Sequence, residues 1–135
     1  MGADILDSRY AWIRMAMSLL IAMIGNIGMW VVIVVMPAVQ SEFGLDRAEA
    51  SYPYTMTMVG FALGNFAIGR IVDRFGITAA LSGAALVIGG SFALSAISPT
   101  VLILTALHFF VGFGTAASFG PLIADISLWF LKRRG

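Results

Sequence analysis

Between Met15 and Ser41 lie 27 residues without a single charge. About 20 apolar residues at a rise of 1.5 Å each cross a hydrocarbon layer of about 30 Å, so this stretch holds a complete membrane span, its core running from Met17 to Val39. Pro37 falls near the far end, where a missing N–H and a ring clash disturb only the last turn. The next charge-free stretch, Ala50 to Gly69, predicts a span over about 53–72, with Pro53 suited to a helix's first turn. From Phe75 to Leu107 no charge appears for 33 residues, too many for one crossing, and Ser98-Pro99-Thr100 divides them. The third span is then about 77–97 and the fourth about 101–127, with Pro121 expected to kink the last. The expected fold is an all-α integral membrane domain of four helices.

Composition supports this reading. Hydrophobic residues make up 60% of the chain and charged residues 11%, against about 25% charged in an ordinary soluble domain. A net charge of +1 supplies no basic field for nucleic acid. With no Cys and one His, no disulfide framework, thiolate metal site or His cluster is expected, and no cofactor. No nucleophile stands beside a base and there is no phosphate loop, so no enzyme is expected. Asp4 and Asp7 precede an apolar run far longer than the about 7–15 residues of a signal peptide's core, so the N-terminus is expected to stay attached. A myristoylation motif fails at Leu6, where Ser or Thr is required.

Cation placement sets the orientation, because short loops rich in Lys and Arg stay on the cytoplasmic side. Arg9, Arg14, Arg70, Arg74, Lys132, Arg133 and Arg134 fall on one side of the four spans, and only Arg47 on the other. Both termini are expected to be cytoplasmic.

Small residues show where helices can meet, since in lipid close approach replaces the hydrophobic drive. Gly60 and Gly64 form a GxxxG in the second span, and Gly112, Ala116 and Gly120 a small-residue ladder in the fourth. Gly25 and Gly28 give the first span a small face, and Gly83, Gly89 and Gly90 give one to the third.

At the end of the second span stands Gly69-Arg70-Ile71-Val72-Asp73-Arg74-Phe75-Gly76. It resembles the Gly-x-x-x-Asp-Arg-x-Gly signature of the major facilitator superfamily of transporters, which lies in the cytoplasmic loop between that family's second and third helices. Ile77 and Thr78 follow where the family usually has basic residues. His108-Phe109-Phe110-Val111-Gly112-Phe113-Gly114 is similar to a second motif that begins with Arg, and His108 occupies the Arg position. The ending Trp129-Phe130-Leu131-Lys132-Arg133-Arg134-Gly135 resembles the branch containing oxalate/formate and monocarboxylate carriers, and so hints at organic anions.

The resemblance implies a fold of twelve helices in two halves, each half made of two inverted three-helix repeats. On that basis 1–135 is expected to be a partial N-terminal transmembrane domain, the first four helices of such a transporter. Its expected partners are the lipid bilayer, a small-molecule substrate and the transporter's remaining C-terminal helices, in the plasma (inner) membrane. The implied activity is secondary active transport of a small solute by alternating access. The alternatives are a four-span multidrug exporter, which needs an acid in its first span where none exists here, and a non-transporting membrane scaffold subunit.

Among side chains, His108 ranks first as a substrate or proton pathway candidate, being ionisable within a span and able to change charge near neutral pH. A neutral His bonded to a neighbouring helix is the equal alternative. Thr105, Gly112 and Thr115 share its face by helical spacing. Asn26, the only amide in the first apolar run, has Trp30 one turn on; a lone Asn most often bridges helices, but the resemblance favours a cavity position for it. Asn65 is expected to serve packing. Gly69, Asp73, Arg74, Gly76 and Asp125 form the expected cytoplasmic gating set. The resemblance implies that the motif Asp caps a helix of the other half and that the motif Arg pairs with an acid on the fourth helix. Asp125 is the only candidate for that acid, with Arg74 or Arg70 as its partner.

Overall fold

A computed structural model describes residues 8–130. The acids Asp4 and Asp7 and the basic ending from Leu131 to Gly135 lie outside the described residues. Helix α1 covers Arg9–Phe43, α2 Tyr52–Phe75, α3 Ile77–Ser95, α4 Val101–Thr115 and α5 Gly120–Leu128, with short 3-10 turns at Glu49–Ser51 and Ala116–Ser118. The last two helices with the turn between them form one membrane-crossing rod, so four rods are long and apolar enough to span a bilayer.

The spans expected from charge gaps are all present, and their ends reach further than the gaps. α1 has 35 residues, about 52 Å at 1.5 Å per residue, because the helix continues through Arg9, Arg14 and Glu42 into the zone where charge is solvated. Ser8 Oγ accepts the Ala11 N–H at 3.4 Å to start it. Gly44 ends it at φ 63, a left-handed turn that Gly adopts at no steric cost. Pro37 sits inside the last turns without stopping the helix.

The signature segment is helical rather than looped. α2 runs through Phe75, so Gly69 to Phe75 form its final turns, and Gly76 alone joins it to α3. Gly76 has φ 82 and ψ 162, a conformation that a side chain would strain, and its N–H bonds the Val72 carbonyl at 2.8 Å. At the other loop, Thr100 Oγ1 accepts the Ile103 N–H at 3.3 Å and starts α4.

α2 and α4 make the closest pairing, and glycine makes it possible. A Cβ added at Gly60 would strike the Phe109 carbonyl, and one at Gly112 would strike the Thr57 carbonyl. One at Gly64 would lie 2.7 Å from the Phe113 carbonyl oxygen. The two glycine ladders read from the sequence therefore face each other and bring the backbones together. α1 packs on the same rod: Gly28 would meet Thr115 Oγ1 at 2.9 Å, and Gly25 would meet the Ser118 hydroxyl. Gly83, Gly89 and Gly90 correct the expectation for the third span, since nothing lies within 4 Å of an added Cβ at any of them. α3 approaches α4 through Gly114 instead, which faces Ile88 and the Ala84 carbonyl.

The kink expected at Pro121 is a full break a few residues earlier. Pro121 has no N–H to offer the preceding turn, and the chain tightens through Ala116–Ser118 before Phe119 leaves helical geometry at φ −118, ψ −86. The α4–α5 rod is the most enclosed, with half of its apolar window buried, against 11% for α1.

Candidate functional site

Asn26 and Trp30 lie one turn apart on α1 and line a single groove. Its far wall comes from the break and α5: Ser118, Phe119, Leu122 and Ile126. The groove encloses about 560 Å³, within the range of small-molecule sites. Asn26 is half-buried, and no hydrogen bond engages its amide among the described residues. Both its donor and its acceptor are therefore free to meet a ligand in the groove. Counting from Arg14, Asn26 lies about 18 Å along the helix, close to the middle of a hydrocarbon layer about 30 Å thick.

The opposite side of α1 explains why His108 and Thr115 do not join this groove. Gly28 is about 200° around the helix from Asn26 at 100° per residue, and it is Gly28 that meets Thr115 and Val111. Thr115 is buried and its hydroxyl donates to the Val111 carbonyl at 2.8 Å. His108 is also buried; its Nδ1 lies 2.8 Å from the Leu104 carbonyl, which as an acceptor fixes the proton on that nitrogen. Its ring meets Phe92 of α3 edge-on, with centroids 6.2 Å apart. His108 thus bonds to its own helix and packs toward α3, neither bridging to a neighbour by hydrogen bond nor reaching the Asn26 groove. Asn65 likewise donates to its own helix, to the Phe61 carbonyl at 2.8 Å.

At the cation-rich end, the acid expected to pair with the signature arginines has another partner. Arg14 Nε reaches Asp125 Oδ2 at 3.2 Å and Arg14 Nη2 reaches Oδ1 at 3.3 Å, a two-point ion pair from α1 to α5. The guanidinium also lies 4.6 Å from the centre of the Trp129 ring, which Tyr10 approaches edge-on at 5.6 Å. Arg70 instead donates to the Phe66 carbonyl, and Arg74 lies over the Phe75 ring at 5.4 Å. The reason is packing order: α5 descends beside α1, so the cation on α1 meets the acid first. Gly69, Asp73 and Arg74 are exposed at the end of α2, and Gly76 forms the turn.

Sequence reasoning missed Arg14, which entered only as one of seven cations, and missed Ser118 and Phe119. The signal for the last two was Pro121, whose effect falls on the residues before it.

Residues 18–135 match the family model of the Major Facilitator Superfamily. The chain is 33% identical over 110 residues to a 4-hydroxybenzoate transporter of Pseudomonas putida, a match covering 82% of this chain and 25% of that protein. It is 29% identical over 111 residues to a 4-hydroxybenzoate transporter of Acinetobacter baylyi, covering 82% of this chain and 24% of the relative. A probable galactarate/D-glucarate transporter of Pseudomonas putida is 30% identical over 105 residues, covering 73% and 23%. None of these three is an oxalate/formate or monocarboxylate carrier by name. The chain spans about a quarter of the length of these relatives. No solved structure matches it. A helical chain with a glycine-locked core, an unpartnered amide at mid-membrane depth and a family match over residues 18–135 is a transporter chain, and it belongs to the Major Facilitator Superfamily.

Proposed function

We propose that these four helices supply the first part of one half of an alternating-access transporter for small organic anions, in the plasma (inner) membrane. The observation that carries the reading is Asn26 with Trp30 at mid-membrane depth in an open groove, where transporters of this architecture hold their substrates. Trp30 offers an aromatic face for an apolar body, and the Asn26 amide offers a donor to a carboxylate or hydroxyl. Two chemical classes of relative support the anion: an aromatic monocarboxylate and an aldarate, by the names those proteins bear.

Repeat symmetry supports the larger assembly. In a half built from two inverted three-helix repeats, α4 opens the second repeat, and it is embraced by α2 and α3 of the first. The mirror relation has α1 embraced by the two helices that would follow α5. α1 has its apolar surface ready for them: Met23, Ile24, Ile27 and Val34 are all more than half exposed. In the same reading, Asp73 at the end of α2 meets the opposing half, and Arg14–Asp125 holds the cytoplasmic end of the α4–α5 rod against α1.

The test is uptake by the transporter that carries this segment, in cells or proteoliposomes, of labelled 4-hydroxybenzoate, galactarate and a neutral control, 4-hydroxybenzamide. Saturable uptake of an anion but not of the amide supports the reading. Uptake of the amide alone, or of none of the three, contradicts it.

A further inference from the structure

The face of α1 that carries Asn26 continues to the opposite end of the helix and meets a second concavity with different chemistry. At 100° per residue, Asn26, Trp30, Ile33, Pro37 and Gln40 all fall within about 40° of one line along α1. The last three line a cavity of about 500 Å³, closed from the other side by Arg47, Ser51 and Tyr54. Gln40 is about 21 Å beyond Asn26, and so stands past the hydrocarbon layer on the side away from the cation-rich ends.

Arg47 is the one cation that the charge pattern leaves on that side, and the local acids do not occupy it. Asp46 Oδ1 accepts the Glu49 N–H at 2.8 Å while Glu49 Oε2 accepts the Asp46 N–H at 3.3 Å, a reciprocal box that starts the turn into α2. Among the described residues Arg47 forms no ion pair, and none of Glu42, Asp46 and Glu49 lines the cavity. The cavity therefore presents one guanidinium, the Gln40 amide and the Tyr54 and Ser51 oxygens above an apolar wall of Ile33, Met36 and Pro37.

From this we propose an outer capture site, in which Arg47 binds the carboxylate of a monoanion with an apolar or aromatic body before it moves along the α1 stripe to Asn26. The proposal rests on the organic-anion reading above and narrows it. A guanidinium takes a carboxylate at two points, and the wall beneath matches a ring. The three acids leave the loop net negative, so a second carboxylate is repelled where the first is held. The site thus selects monoanions over dianions.

The experiment measures binding of benzoate, galactarate and benzamide to the 135-residue chain in lipid nanodiscs by ligand-observed NMR, for wild type, Arg47→Gln, Arg47→Lys and Asn26→Leu, with circular dichroism to verify helicity. Benzoate binds wild type more tightly than galactarate or benzamide. Arg47→Gln weakens benzoate about tenfold, the effect of losing one charge-assisted contact. Arg47→Lys retains most of the affinity, Asn26→Leu leaves this site intact, and benzamide is indifferent to all three. Benzoate binding unchanged in Arg47→Gln but lost in Asn26→Leu overturns the capture site and leaves the organic-anion reading standing. Galactarate binding as tightly as benzoate overturns the selectivity. Anions binding no better than benzamide in wild type overturns both the site and the reading on which it rests.

Discussion

Arg14 and Asp125 are 111 residues apart in sequence and joined by two contacts of 3.2 and 3.3 Å. They fasten α5, the part of the fourth rod beyond its break, to the start of α1. The acid is 15% exposed and the arginine 34%, so the pair is partly shielded from water and neither partner is comfortable alone.

A double-mutant cycle measures that linkage. Arg14→Gln and Asp125→Asn, each alone, should lower the stability of the chain in detergent by about 1–2 kcal/mol, and the pair together by clearly less than the sum. Arg74→Gln combined with Asp125→Asn should be additive. Coupling between Arg74 and Asp125 equal to that between Arg14 and Asp125 would return the acid to the signature arginine.

Glycines on the two sides of the bundle should respond oppositely to one added methyl. Gly60→Ala and Gly112→Ala drive a Cβ into the backbone of the facing helix, and each should cost about 1–3 kcal/mol by overpacking. Gly83→Ala and Gly89→Ala meet open space within a helix and should be neutral or stabilising by about 0.5–1 kcal/mol. Thermal unfolding of the four variants decides this, and equal behaviour across them would contradict the α2–α4 packing.

How far the sequence disclosed all this depended on range. The spans were legible because a charge in hydrocarbon is so unfavourable that its absence over 20 residues marks a crossing. The same signal blurred the ends, since Arg9, Arg14 and Glu42 extend α1 once the chain reaches the headgroups. Asn26 and Trp30 were legible as a pair because one helical turn fixes their neighbourhood. The partner of Asp125 was not, because Arg14, Arg70 and Arg74 all sit at the same end and only the order of helix packing chooses among them. His108 looked functional for a local reason, an ionisable group in a span. Its surroundings, the Leu104 carbonyl and the Phe92 ring, come partly from another helix.

His108 is therefore expected to act in packing. In the transporter that carries this segment, His108→Gln should lower thermal stability and leave the pH profile of uptake unchanged. A displaced pH profile with stability intact would assign His108 to proton coupling after all.

Sidedness is open to a direct check on this Cys-free background. Single cysteines at Asp46→Cys and Asp73→Cys should label from opposite faces of an intact membrane, Asp46→Cys from outside and Asp73→Cys only after permeabilisation. Labelling of both from one side would contradict the four-span topology.

The most direct measurement is the kinetics of 4-hydroxybenzoate uptake by the transporter carrying Asn26→Leu, compared with wild type at equal surface expression. Leu fills the position without a donor or acceptor, so loss of a hydrogen bond to a charged substrate should lower kcat/KM about tenfold or more. Uptake by Asn26→Leu with wild-type kcat/KM would show that the α1 groove is not where the substrate binds.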